Sequence, residues 1–535
     1  VTQETRYTGA PAIGLADGWS LERLTAPSRL FGANGLRTGP DGRVYVAQVA
    51  GSQISALDVD TGALETVSAQ GSDIVAPDDV AFDESGDLFA TEYYDGRVSV
   101  RGADGRTRVL RDDVPGANGI TFHRGRLFID ECRIGGRLME FDLGGGAPRV
   151  ILDELPLPNA MEFGPDGKLY YPLLGSNEIW RVDPDGGEPE RVAADLGVPD
   201  AVKFDAAGRI VSTQVGSGEV LRIDPRNGER TVLAKLSPGL DNLTFVGDRL
   251  FVSDFTGSIT EILGEGRTRA VLPGGLTWPL DLTVGADGTL YIADGMFFYA
   301  VPPGGGGPRM LDMAFNPGWP GYVRGATAVG DGEFVVTTSL GQIARWRPGS
   351  GEHTVLAGGT EPFDQLYGVA VAPDGAVVAA ELGTGRVVSV RDGQVSTLAS
   401  GLDRPMGVTF GADGACLVSE SGAGRVVSVT GSGTDTVADG LDTPQGVLAR
   451  GGRLTIVDAG AKSLIEVDLG SKARTTIARD LPVGAPLGEP PKPLKGLMPF
   501  TGPQGLFAGI AAGPDGTLYV SADAEGSVLA VRKEG

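Results

Sequence analysis

Apolar and polar residues alternate with a period of two in short runs along the whole chain, and Gly, Pro, Asn and Asp separate the runs. That alternation reads as a succession of short strands, and no helical period of useful length interrupts it. Four runs recur as a unit, as in 201–204, 209–213, 219–224 and 230–234. The clearest phrase is Asn34-Gly35-Leu36-Arg37-Thr38-Gly39-Pro40-Asp41-Gly42-Arg43-Val44-Tyr45-Val46-Ala47-Gln48: a strand, a tight turn and a second strand. With Asn34 as marker, equivalents fall at Asp78, Asn118, Asn159, Asp200 and Asp241, then at Leu280, Arg324, Tyr367, Met406, Gln445 and Ala508. A repeat of about 40–45 residues with four strands predicts β-propeller blades.

The expected fold is therefore all-β. Twelve units exceed the roughly 4–8 blades of one ring, so two tandem six-bladed propellers of four-stranded antiparallel blades are predicted, over 1–265 and 266–535. The last unit runs out after three strands and needs a borrowed outer strand. The expectation is that Leu21–Thr25 completes the blade beginning at Asp241, and Thr268–Leu272 the blade beginning at Ala508. Two segments break the spacing. Asn316–Tyr322 reads as a packed surface turn or an aromatic lid, and Pro482–Pro503 as a Pro-stiffened loop over one mouth of the second ring.

Composition narrows the partners. The 85 glycines follow no triplet period and serve turns. A formal charge of -24 argues against nucleic acid, which calls for a basic patch. No apolar run reaches the roughly 18 residues of a membrane span. The start Val1-Thr2-Gln3 shows no signal-peptide pattern, and Cys132 and Cys416 make no disulfide framework. A cytoplasmic location is the expectation, with secretion after signal removal as the alternative. The expected partner is a small-molecule substrate; oligomeric state is not legible.

Chemistry concentrates at the markers. Each opens the innermost strand of a blade, so six should circle the channel mouth. In the first ring the circle is Asn34, Asp78, Asn118, Asn159, Asp200 and Asp241. Three carboxylates and three amides converging on one volume repel unless a cation or protons intervene. Their hard oxygens suit a divalent metal, Ca²⁺ foremost, with Mg²⁺ or Mn²⁺ as alternatives. Asn and Asp also cap turns, but the second ring repeats the same turn without either. A second circle, 13 or 14 residues on, holds Gln48, Glu92, Glu131, Leu173, Gln214 and Asp254. Glu92 and Glu131 are candidates for substrate binding there, although Asp294, Glu381, Glu420 and Asp458 occupy comparable places in the second ring. His123 and His353, the only histidines, are misplaced for a Ser-His-Asp or Cys-His mechanism. Gly304–Gly307 lacks the Lys-Ser/Thr of a phosphate loop.

Ala117-Asn118-Gly119-Ile120, Pro158-Asn159-Ala160-Met161 and Pro199-Asp200-Ala201-Val202 resemble the Asn-Gly and Pro-Asp-Gly phrases of the senescence-marker/gluconolactonase family. The resemblance implies a six-bladed, metal-dependent lactonase. It implies Asn159 and Asp200 as metal ligands and Asn118 in the metal shell or substrate pocket. Asn34 stands near the place of the family's early Glu. Leu240-Asp241-Asn242-Leu243 is similar to the calcium-binding Asp-Asn pair of paraoxonase-type propellers. The functional expectation is a metal-dependent hydrolase of a lactone or related ester in the first ring, with Asp200 or Asp241 activating water. Two alternatives are carried: a non-catalytic binding scaffold using Arg324, Tyr367 and Met406, and a metal-dependent lyase or isomerase on the same site.

Overall fold

The computed structural model describes residues 4–431 and 433–534; the reading of Val1-Thr2-Gln3 lies outside them. Its described residues form strands, turns and loops without α-helix. Twelve antiparallel sheets appear, eleven of four strands and one of five. Ten are meanders in which sequential strands are hydrogen-bonded neighbours, and the other two add a strand from the N-terminal end to such a meander, the blade arrangement expected from the repeat. The chain divides into two compact units. One, the inserted unit, is Arg29–Gly274; the other, the host unit, is Val1–Ser28 with Gly275–Gly535. Each contains six of the sheets, numbered here as blades 1–6 and 7–12 in the order of their markers.

This division corrects the one expected at residue 265. The strand Arg267–Leu272 pairs with Ile259–Gly264 and so completes the blade of Asp241, not that of Ala508. The cause is local. Glu265 and Gly266 both have positive φ (55° and 72°) between the paired residues Gly264 and Arg267. A two-residue turn of that kind joins neighbouring strands at low entropic cost, so a partner at hand excludes a distant one. Trp19–Arg23 is then available to Ser527–Lys533, in register from Trp19↔Lys533 to Arg23↔Leu529, and supplies the outer strand of the last blade. Gly14–Leu15 adds a fifth strand to the sheet before it. The N-terminal end does lend a closing strand, as expected, but to the last blade of the chain.

The core is a series of thin layers between blades. Val98, Ile120, Ile129 and Met139 pack between blades 2 and 3, and Val220, Leu243, Val252 and Ala160 near blade 5. Inner strands alternate apolar residues facing both neighbouring blades, which is why their burial is almost continuous. A β-bulge marks most inner strands. In blade 2, Pro77 faces Glu92 but Val80 faces Ala90, so one extra residue enters at the marker; the same shift occurs at Ala117/Ile120, Pro199/Val202 and Leu240/Leu243. A bulge reverses the alternation of faces locally.

Two expectations about loops resolve here. Trp319 of the 316–322 segment packs edge-on against Trp346, at 5.4 Å, and Asn316 donates to Asp312: the segment is a packed turn. The long 482–508 segment folds over the marker mouth of the host unit. Leu494 and Leu497 bridge to Gln504 and Thr501, and Gly502 N–H donates to Ser339 at 3.0 Å. Arg324 stacks 5.0 Å from the Tyr367 ring and donates to the Pro503 carbonyl, while Phe507 packs against Tyr367. Arg324, Tyr367 and Met406 are each no more than 2 % exposed. Beneath Phe507 lies a channel cavity of about 250 Å³ walled by Val369, Val408 and Val447.

Deleting residues 1–28 should remove the outer strand of the last blade. The expected result in calorimetry is a lowered melting transition for the host unit with that of the inserted unit retained.

Candidate functional site

The six markers of the inserted unit are brought to one channel mouth by a shared backbone device. Two residues before every marker the chain has positive φ: Gly32, Ala76, Gly116, Leu157, Val198 and Gly239. Three of these are not glycine, and Val198, at φ 67°, is β-branched, where such a conformation is strained. In the host unit only Gln365 and Arg404, among the described residues, repeat the feature.

Links run from blade to blade behind the markers. In blade 2, Asp79 N–H donates to Thr91 Oγ1 at 3.1 Å, and Thr91 donates to the Asn118 carbonyl at 2.6 Å. In blade 5, Ala201 N–H reaches Thr213, which donates to the Asp241 carbonyl. In blade 6, Asn242 N–H reaches Ser253 at 3.0 Å, and Ser253 donates to the Asn34 carbonyl at 2.7 Å, joining the last blade to the first.

At the mouth, Asn118, Asn159, Asp200 and Asp241 are buried, and Asn34 and Asp78 are partly buried. Asn34 Nδ2 donates to Asp241 Oδ2 at 3.0 Å, and Asn159 Nδ2 to Asp200 Oδ2 at 3.3 Å. Asp200 Oδ1 is buried and receives no N–H donor among the described residues, while the Asp200 and Asp241 carboxyls stand within hydrogen-bonding reach of each other. Burial pushes all three marker carboxyls well up, and charges add to it: Asp241 and Asp79 on Asp78, Asp78 on Asp200, and Asp200 on Asp241. Cys132, read from sequence as structural, lies 3.8 Å from Asn159 Nδ2, and burial raises its thiol above the ordinary range.

Among the described residues, no three His, Cys, Asp or Glu side chains are grouped so as to hold a metal. The donor set still suits a hard cation: carboxylate and amide oxygens, an Asp200 Oδ1 that receives no N–H donor and no sulfur or imidazole ligand are what Ca²⁺ or Mg²⁺ takes. As arranged, the Asn34 and Asn159 amide hydrogens occupy carboxylate oxygens in the way a cation would.

One layer below lies a cluster the sequence reading missed. Glu162 Oε2 meets Lys203 Nζ at 2.9 Å and Arg37 Nη1 at 3.2 Å, and its Oε1 accepts from Thr121 at 2.9 Å. Arg37 also donates to the Val80 and Ile120 carbonyls. Against the effect of burial, Lys203 and Arg37 hold Glu162 down to about 2. These residues stand three after their markers. Counting by two from the marker misses them; in blade 5 the bulge at Asp200 shifts the alternation. The corresponding host positions, Thr283, Thr327, Ala370, Thr409, Leu448 and Ala511, are small or uncharged, and there the channel is a cavity.

Glu92 and Glu131 have other occupations than substrate binding. Glu92 is fully buried and accepts from Val75 N–H at 2.6 Å, from Ser99 and from Arg97. Glu131 is equally buried and paired with Arg133 and Arg137. The amide 17 residues earlier is a general partner of this position: Gln48 accepts from Phe31, Gln214 from Gly197, Glu381 from Asp364 and Glu420 from Asp403. The carboxylate ties down the loop that enters its blade in both units. His123 stacks on Phe163 at 4.0 Å and His353 bonds to the Gly318 carbonyl, both away from the marker circle.

Residues 17–253 match the family model of the SMP-30/Gluconolactonase/LRE-like region, a stretch that contains all six markers of the inserted unit. Solved structures similar to the chain include virginiamycin B lyase from Staphylococcus aureus, at 17 % identity over 52 % of this chain and 96 % of that one, TM-score 0.38. A gluconolactonase from Xanthomonas campestris is similar at 18 % identity over 46 % of this chain and 95 % of that one, TM-score 0.38. A search of curated proteins finds no match.

Two outcomes are expected. Glu92→Ala leaves Arg97 and the Val75 amide without their buried acceptor, and should cost about 3–5 kcal/mol in denaturant unfolding without changing ligand affinity. In chelating buffer the raised carboxyls favour the folded state when protonated. The contribution of these three groups to the stability of the inserted unit should therefore be fully present below the ordinary Asp range and be lost as pH rises through the raised values. Melting curves with and without added Ca²⁺ should diverge toward neutral pH.

Proposed function

We propose that the inserted unit is a metal-dependent hydrolase of a lactone or a related ester. The observation that carries this reading is the buried, mutually repelling circle of Asp78, Asp200 and Asp241 within the stretch matched by the family model. Asp200, Asp241 and Asn159 would hold a divalent cation, Ca²⁺ before Mg²⁺ or Mn²⁺, with Asn34, Asp78 and Asn118 completing the circle. Such a cation polarises a carbonyl oxygen and stabilises the charge that develops on it.

The chain's own residues do the rest. Asp200, whose Oδ1 receives no N–H donor and whose carboxyl lies beside that of Asp241, accepts the proton of an attacking water. Asp241, in electrostatic contact with Asp200 and hydrogen-bonded by Asn34, tunes that basicity. Asn118, buried on the same circle, orients the substrate's polar groups. The Arg37–Glu162–Lys203 cluster fills the channel below, so substrate and water use the marker mouth. The scaffold alternative at Arg324, Tyr367 and Met406 loses its surface, because the 482–508 segment covers it.

The test is a panel of lactones and esters with the full-length protein. Hydrolysis that depends on a divalent metal is expected. Asp200→Asn should lose about 10²–10⁴-fold in kcat/KM, while Tyr367→Phe in the host unit should keep it. Isomerised or eliminated products with the same metal dependence would move the assignment to a lyase or isomerase. Activity indifferent to chelator and to Asp200→Asn would refute both.

A further inference from the structure

Two crossings between blades share one geometry, one in each unit. Where blade 1 meets blade 2, Gly35 N–H donates to the Asp78 carbonyl at 2.7 Å; where blade 12 meets blade 7, Gly509 N–H donates to the Leu280 carbonyl at 2.9 Å. The residue after each of those accepting markers is a buried aspartate, Asp79 and Asp281. Each accepts the following amide on Oδ1, from Val80 at 2.8 Å and from Leu282 at 2.9 Å. A Cβ on Gly35 or on Gly509 would lie 2.5 Å from the facing Oδ1. The two carboxyls therefore hold the same place in their rings.

What faces them differs. Arg37, two after Gly35, comes within 3.9 Å of Asp79 and donates to the Val80 and Ile120 carbonyls. In the host unit its place, two after Gly509, belongs to Ala511. In the same order round the ring, Ala370 and Thr409 stand for Glu162 and Lys203. These three truncations leave the channel cavity of about 250 Å³, and Asp281 is the only ionisable residue among its described lining. Leu282 and Ala326, also in the lining, stand where Val80 and Ile120 present carbonyls to Arg37. Asp281 Oδ2 accepts Ala326 N–H at 3.0 Å, and among the described residues no charged group acts on this carboxyl. The guanidinium nearest in sequence, that of Arg324, is turned to Tyr367 and Pro503. Phe507 closes the marker end of the cavity. At the other end a second cavity of about 350 Å³ shares Val284, Leu448 and Ala512 with it and lies by the turns of Gly285 and Gly513, which gives a ligand its way in.

We propose that the host channel binds a small organic cation, an alkylammonium or alkylguanidinium ion, with its charged head beside Asp281 and its chain among Val369, Val408 and Val447. Charge complementarity selects the occupant. A cation gives Asp281 the partner that Arg37 gives Asp79, whereas a neutral or anionic ligand leaves a buried carboxylate unpaired. The inference concerns the host unit and stands apart from the lactonase reading.

The test uses full-length protein in mildly alkaline buffer, where Asp281, pushed up to about 7 by burial, is ionised. In titration calorimetry n-butylammonium should bind at one site per chain, and n-butanol, of the same chain length without the charge, should not compete. Asp281→Asn should weaken the binding about tenfold or more, the worth of one hydrogen bond to a charged group. Ala511→Arg builds the missing guanidinium into the channel, so it should abolish binding and raise the melting transition of the host unit. No binding of n-butylammonium, equal binding by Asp281→Asn, or n-butanol binding as tightly as the cation overturns the proposal. Should Asp281→Asn fail to fold, the comparison of the two ligands and the loss of binding in Ala511→Arg decide.

Discussion

The hydrogen-bond relay that passes from one inner strand to the next is the constraint on which the inserted unit depends. A blade alone buries little, since its apolar faces need neighbours on both sides. Hydrophobic layers such as Val98–Ile120–Met139 supply the drive to stack but set no orientation about the channel axis. Orientation comes from directional bonds. Thr91 to Asn118, Thr213 to Asp241 and Ser253 to Asn34 each fix the carbonyl of a marker residue, and with it the start of an inner strand. Because Ser253 meets Asn34 across the closure, the circle of polar side chains is defined by the same bonds that close the sheets into sequence.

Those bonds allow a cost elsewhere. Left-handed backbone two residues before every marker, including at Val198, aims the markers inward, and a chain without firm closure would relax it. Asp78, Asp200 and Asp241 are then crowded into a poorly solvated volume where each raises the proton affinity of another. The host unit repeats the relay through Thr337, Ser419 and Ser521 but puts Leu280, Arg324, Tyr367, Met406, Gln445 and Ala508 at the marker places. Its strained entrances fall to two, and its own 482–508 segment covers the mouth. The same scaffold therefore appears once with a polar circle and once with a packed one. The difference lies in side chains and in the backbone that leads to each marker, since the four-strand blade is common to both.

Much of this was legible in the sequence because its signals are local and repeated. Alternation gave the strands, tight turns such as Asp41-Gly42 gave the hairpins, and the recurring step of about 40–45 residues gave the blades. The marker contrast pointed to the inserted unit, and the Pro-rich segment to a covered mouth. Failures came where one residue or one long-range choice decides. The bulge at Asp200 displaced Lys203 from a count by two, and Arg37 and Glu162 stand at the same offset from their markers. The Gly264-Glu265-Gly266 turn kept Arg267–Leu272 at home and reassigned both closing strands. Glu92 and Glu131 stand beside the mouth in sequence order, but their carboxylates are turned to loop amides and arginines.

The two layers of the inserted channel also account for each other. A circle of carboxylates directly over an open channel would be relieved by water from both sides, and its proton affinities would move toward ordinary values. The Arg37–Glu162–Lys203 layer fills the space beneath with groups already paired and bonded to backbone carbonyls. Its two cations and one carboxylate carry a net positive charge, which steadies Asp79, 3.9 Å from Arg37. The marker carboxyls on the mouth side have no such partner and keep their unrelieved repulsion. An acidic mouth above a filled channel exchanges protons from the mouth side, and the proposed cation would have to enter by the same side.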